Sequence, residues 1–152
     1  MKMKRAVFVL LALSSLYGAS GEGSRVLYVG GTVAGVPAKS DVRIGMLTDD
    51  GLTLNARGNT IVIPWKDINN IEYGMRVSRR YLEAVLISPV FLAAKRRTHF
   101  LTIGYSDSEG RQQAMVLQVG KDDIRPLLVS LEARTGRRVE YQDDEARKAG
   151  KG

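Results

Sequence analysis

The chain has 152 residues, a formal net charge of +7 and 44% hydrophobic residues, which suits one globular domain. It contains no cysteine, so disulfide bonds, thiolate metal sites and a cysteine nucleophile are excluded. A uniformly basic chain would favour nucleic acid as a partner. Here the positive charge is concentrated at the N-terminus and between residues 76 and 97, and we expect no nucleic-acid binding.

The N-terminus has the pattern of a secretory signal peptide. Three basic residues and no acidic ones lie within positions 1–5, an apolar run follows at 6–13, and small residues continue to position 21. The apolar run is shorter than the about 20 residues that a membrane-spanning helix needs. We therefore expect residues 1–21 to be a cleaved signal peptide, and the exported protein to be periplasmic or extracellular.

The next part of the chain has the pattern of short β-strands separated by turns. Apolar and polar residues alternate in period two, which predicts half-buried strands. The Asp50-Gly51 pair, flanked by leucines, is the strongest hairpin signal in the chain. The strands predicted here cover residues 25–29, 42–46, 52–55 and 60–65.

Two further strands and a helix are predicted towards the C-terminus. The strands cover 99–105 and 113–119, with a turn at 106–110. Apolar residues then recur at helical spacing, at Ile124, Leu127, Leu128 and Leu131.

The helix has start and stop signals of its own. Asp123 is the predicted N-cap, which would put Pro126 in the first turn, where a missing N–H costs no hydrogen bond. Gly136 suits the C-terminal cap. Residues 142–152 are highly charged and are predicted to be a disordered tail.

These elements predict a mainly β domain over residues 22–141 with one C-terminal α-helix. About seven short strands at regular spacing are typical of a sandwich or barrel.

The segment Ile63-Pro-Trp-Lys-Asp-Ile-Asn-Asn-Ile-Glu-Tyr-Gly74 resembles the segment that joins the fourth strand to the fifth in GRAM-like and bacterial pleckstrin-homology-like domains. The resemblance extends over about residues 25–141 and implies a seven-strand sandwich or barrel capped by an amphipathic helix. It also implies an exported bacterial binding or scaffolding module that faces lipid or protein. These families share no fixed ligand motif, so the resemblance transfers no functional residues.

The most unusual stretch is the insert at residues 77–98, which is apolar between basic flanks. Residues 76–97 carry six basic residues against one acidic residue, whereas the rest of the chain beyond residue 21 sums to −1. The candidate binding residues in and beside this insert are Arg76, Arg79, Arg80, Tyr81, Phe91, Leu92, Lys95, Arg96 and Arg97.

Three interpretations of the insert stay open. It covers an open end of the β-core, or it lies in the interface of an anionic membrane as a peripheral element, or it contacts a protein partner. That partner would be another envelope protein or a second copy of the chain.

The sequence shows no catalytic constellation, and we expect no metal or cofactor. His99 is the only histidine, whereas a zinc site needs three or four ligands. The sequence therefore predicts an exported, non-catalytic binding or scaffolding module that associates with a membrane surface through residues 79–97. The alternatives are a protein-interaction module without a membrane role, or an enzyme with a dispersed site.

Overall fold

The computed structural model describes residues 23–46, 48–85 and 98–151. The predicted signal peptide and residues 86–97 lie outside these ranges. The strands are β1 (Ser24–Gly31), β2 (Ser40–Gly45), β3 (Gly51–Ala56), β4 (Asn59–Pro64), β5 (Ile68–Gly74), β6 (His99–Ser106), β7 (Gln112–Val119) and β8 (Glu140–Tyr141). The helices are α1 (Arg79–Val85), α2 (Lys121–Thr135) and α3 (Asp144–Lys151), and a 3-10 turn covers Trp65–Asp67.

The strands form one sheet in the order β4-β3-β2-β1-β7-β6-β5-β8. Neighbours pair antiparallel except for β5 and β8, which pair in parallel. The Asp50-Gly51 signal marks the connection between β2 and β3, and Arg57 and Gly58 join β3 to β4 with positive φ angles of 49° and 84°, as a tight two-residue hairpin requires. The prediction of a mainly β domain with a C-terminal helix is confirmed.

The inner face of the sheet packs against α2. Side chains alternate along a strand, so on β6 the inner face takes Leu101 and the outer face takes Phe100. The predicted apolar stripe of α2 is buried on the inner face, through Ile124, Leu127, Leu128 and Leu131. Most of the buried apolar side chains among the described residues therefore lie between α2 and the sheet.

The end of α2 matches the prediction, whereas its start does not. Gly136 has a φ of 67° and caps the C-terminus. The N-cap is Gly120 rather than Asp123, because Gly120 is extended directly after β7 and its carbonyl accepts the N–H groups of Asp123 and Ile124. Pro126 consequently lies inside the helix, beyond its first turn.

The outer face is covered by α1 and by the residues that lead into it. The buried cluster on this face consists of Val29, Val77, Tyr81, Phe100, Ala114 and Val116, with Leu82 packed beside it. Residues on both sides of the sheet are therefore removed from water, but by two different helices.

Residues 144–151 form α3, where the sequence predicts a disordered tail. The Asp143 carboxylate accepts the N–H of Ala146 and caps the helix, and Ala146 and Gly150 are buried. A Cβ at Gly150 would lie 2.5 Å from Cε1 of Tyr141, so the absence of a side chain permits this close approach. The prediction missed α3 because its small residues share one face among many charged ones.

Among the described residues, none of the helices combines the length and the apolar character that crossing a membrane requires.

Candidate functional site: the surface around α1

The chain reaches α1 directly from the end of β5. Val77 is buried against the outer face, and the carbonyl of Ser78 accepts the N–H groups of Tyr81 and Leu82 at 3.0 and 3.1 Å. Val77 therefore packs on the sheet directly before α1, and the Ser78 carbonyl closes the first turn of the helix. The beginning of the predicted binding segment is thus attached to a rigid element.

The structure separates the candidate residues that it describes. Arg76 and Arg79 are exposed, whereas Arg80 is engaged in ion pairs. Tyr81 is 8% exposed and packs in the outer-face cluster, so it covers the sheet rather than adding to an exposed surface. The remaining candidates lie outside the described residues: Phe91, Leu92, Lys95, Arg96 and Arg97.

Arg80 joins α1 to two strands. Its Nη2 atom lies 2.6 Å from Oε2 of Glu72 on β5 and 2.9 Å from Oε2 of Glu140 on β8. The Glu72 side chain is 7% exposed, against 54% for Arg80. Gln142 donates its Nε2–H to the second oxygen of Glu72 at 2.9 Å. The buried carboxylate is therefore paired, and its hydrogen bond raises the pKa of Arg80.

A second polar contact joins α1 to β5. Asn70 donates its Nδ2–H to the hydroxyl of Tyr81 at 2.7 Å, and burial raises the pKa of Tyr81. In the described part of the chain, Oδ1 of Asn70 and Oγ of Ser78 are buried and have no hydrogen-bond partner. Each such group costs about 1–3 kcal/mol of desolvation. The contact between α1 and the sheet is therefore incompletely satisfied.

Of the cavities lined by described residues, two lie beside α1, and Arg80 borders both. The larger, about 550 Å³, has a charged lining that includes Glu72, Arg76, Glu140 and Asp143. The smaller, about 340 Å³, is lined by Thr32, Asn69, Asn70, Tyr81, Gln112 and Gln113, whose side chains end in carboxamide or hydroxyl groups, together with Arg80 and Ala114. Both cavities open to solvent, so α1 is accessible from two sides.

His99 lies on the inner side of the same region. Its Nδ1 atom is 2.5 Å from the hydroxyl of Tyr73, and the two rings stack at 5.9 Å. Burial lowers the pKa of His99 and raises the pKa of Tyr73 to about 12. Within the described ranges, no group of three or more histidine or acidic side chains is arranged to hold a metal. These contacts give His99 a packing role beside Tyr73.

Sequence reasoning missed the partners of α1. Asn70 and Glu72 alternate on β5 as solvent-facing residues would, and Glu140 lies far along the chain in a two-residue strand. Nothing in this pattern indicated that α1 would lie over the outer face and contact both side chains.

No protein-family model matches the sequence, and no curated protein matches it.

Proposed function

We propose that this protein is an exported, non-catalytic binding or scaffolding module with a pleckstrin-homology-like domain, and that residues 79–97 bring it to an anionic membrane surface. The fold part of the proposal is supported by the antiparallel strand order from β4 to β5 and by α2, which follows the seventh strand. The segment Ile63–Gly74 joins β4 to β5, where the resemblance expects it.

The observation that carries the membrane proposal is the way in which α1 presents the basic segment. Val77 and Tyr81 attach its beginning to the sheet, while Arg76 and Arg79 remain exposed. The segment returns to the sheet at β6, so both of its ends are fixed on the same domain. Each basic residue near an anionic surface contributes on the order of 1 kcal/mol, so clustered charges give useful affinity even after screening.

The interior supports binding at the surface rather than catalysis within the domain. The inner face of the sheet is filled by large buried side chains such as Tyr28, Leu52 and Leu101. The single histidine is hydrogen-bonded to a buried tyrosine. The exposed side chains around α1 are therefore the better candidates for recognition.

Vesicle sedimentation tests the proposal. Exported protein should sediment with phosphatidylglycerol vesicles at low salt and much less with phosphatidylcholine vesicles, and added salt should weaken binding, because exposed charges are screened beyond about 10 Å at 0.1 M. The test variant replaces five basic residues with serine and keeps Arg80, which pairs with Glu72. These five are Arg76, Arg79, Lys95, Arg96 and Arg97.

A matched control removes the same charge from elsewhere on the surface. It replaces five exposed residues with serine: Lys66, Arg137, Arg138, Arg147 and Lys148. We expect the test variant to lose vesicle binding and the control to retain most of it, with the same melting temperature for both. Equal losses in the two variants, or no sedimentation of the unmodified protein at low salt, would contradict the proposal.

A further inference from the structure

We propose that α1 is a releasable cover of the outer sheet face, held closed by Arg80 and opened when an anionic surface competes for that side chain. The release step rests on the proposed membrane function. The existence of a releasable cover does not, because it follows from the contacts between α1 and the sheet.

The described contacts that hold α1 on the sheet are the apolar packing of Tyr81 and Leu82 and the polar contacts of Arg80 and Tyr81. One atom, Nη2 of Arg80, accounts for the ion pairs to both Glu72 and Glu140. The Arg80 side chain is half exposed, so a phosphate group in solution or on a surface can reach the guanidinium. Guanidinium groups bind phosphate and carboxylate with the same hydrogen-bonding geometry. An anionic surface is therefore a direct competitor of the two glutamates.

The closed state also leaves polar atoms unsatisfied. Oδ1 of Asn70 and Oγ of Ser78 are buried beneath or beside α1 without a hydrogen-bond partner among the described residues. Opening α1 would let water reach both atoms, which lowers the free energy needed to open it. The described part of the helix, Arg79–Val85, is held on the sheet through Tyr81 and Arg80.

Opening would expose an apolar surface close to the exposed basic residues Arg76 and Arg79. The residues beneath α1 on the strands are Val29, Phe100, Ala114 and Val116, all at most 4% exposed. An apolar patch next to basic side chains is the combination that favours insertion at an anionic membrane interface. The cover would shield this patch from water until an anionic group on a surface replaces the two glutamates at Arg80.

Thiol labelling can measure the opening, because the chain has no cysteine of its own. Val116→Cys places a thiol on the outer face of β7, and Val119→Cys places one on the inner face of the same strand. Both valines are buried, and the substitution is the same. We expect the thiol at position 116 to react with a maleimide at least about tenfold faster than the one at 119, since local opening requires less free energy than global unfolding.

Glu72→Gln sharpens the measurement, because it removes the buried charge and keeps the shape of the side chain. It should accelerate labelling at position 116. Labelling at position 119 should change only as much as the rate of global unfolding changes. Equal labelling at 116 and 119 in both backgrounds would overturn the cover, because α1 would then open only when the whole domain unfolds.

Vesicles separate the release step from the membrane function. Phosphatidylglycerol vesicles should accelerate labelling at 116, and phosphatidylcholine vesicles should not. Protein that binds anionic vesicles while its labelling at 116 stays unchanged would overturn the release step and support the membrane function. Rapid labelling at 116 without any vesicle binding would support the cover and overturn the membrane function together with the release step.

Discussion

The two faces of the sheet are built from the same strands but differ in how they are covered. In the described part of the chain, the inner-face cluster contains 25 buried hydrophobic residues, and the outer-face cluster contains six. Among the described helices, α2 (15 residues) closes the inner face, and α1, described over Arg79–Val85, lies on the outer face. Among the described residues, the inner face therefore carries most of the buried apolar packing of the domain.

The two faces also differ in how their polar groups are satisfied. On the inner face, the hydroxyl of Tyr28 accepts the N–H of Val33, and the hydroxyl of Tyr73 is bonded to His99. Beneath α1, by contrast, the described structure leaves atoms of Asn70 and Ser78 without partners. Buried polar groups without partners oppose burial. Covering the outer face with α1 therefore includes a desolvation free energy that these inner-face hydroxyls avoid through their hydrogen bonds.

The largest expected effect comes from adjacent residues of β6 that lie on opposite faces. Leu101→Ala should lower the free energy of unfolding by about 2–5 kcal/mol, as truncation of a fully buried leucine does. Phe100→Ala removes a larger side chain, but we expect a smaller loss than that of Leu101→Ala, at most about 3 kcal/mol, because α1 can settle into the space. Urea unfolding of the two variants measures both losses.

The order of the two losses is the informative result. If Phe100→Ala is the more destabilising substitution, then the outer face is as rigidly packed as the inner face, and the contrast between them fails. Unchanged slopes of the urea transitions would show that both variants still unfold in one cooperative step.

A smaller effect is expected from adjacent arginines of α1. Arg80→Ala leaves the carboxylate of Glu72 buried without its cation and should cost about 1–3 kcal/mol. Arg79→Ala changes an exposed side chain and should stay within about 0.5 kcal/mol. Chemical unfolding compares the two directly. A loss at position 80 as small as that at 79 would mean that the ion pair adds nothing to the closed state.

Much of the fold could be predicted from the sequence, because its signals are local. Alternation and turn signals predicted β1 to β4, β6 and β7, and the spacing from Ile124 to Leu131 predicted α2. Errors arose where contacts between residues far apart in the chain decide whether an element forms. The strand β8 forms only because residues 140 and 141 reach β5, and α3 forms where Gly150 fits against Tyr141.

The candidate site was predictable only in part, for the same reason. Composition identified the basic segment and therefore Arg76 and Arg79, which are exposed. Composition could not distinguish Arg80 from Arg79, because only the structure shows that Arg80 is paired with Glu72 and Glu140. A charge count records a residue's sign and position, but not whether another charge is already bound to it.

The smallest expected effect is the pH dependence that His99 gives to the inner face. Burial, aided by the positive charge of Lys121, lowers the pKa of His99, so the folded protein binds this proton more weakly than the unfolded chain does. The contribution to stability is then complete above the unfolded pKa of about 6.5 and declines as pH falls through that value towards the folded pKa.

Because His99 is the only histidine, its ring resonances in an NMR titration report the folded pKa without assignment, and the value should lie below about 6.5. Urea unfolding between about pH 8 and pH 5.5 should show the matching decline, and His99→Gln should remove it. A folded pKa above the unfolded value would place His99 in contact with water or an acidic partner and would contradict its burial beside Tyr73.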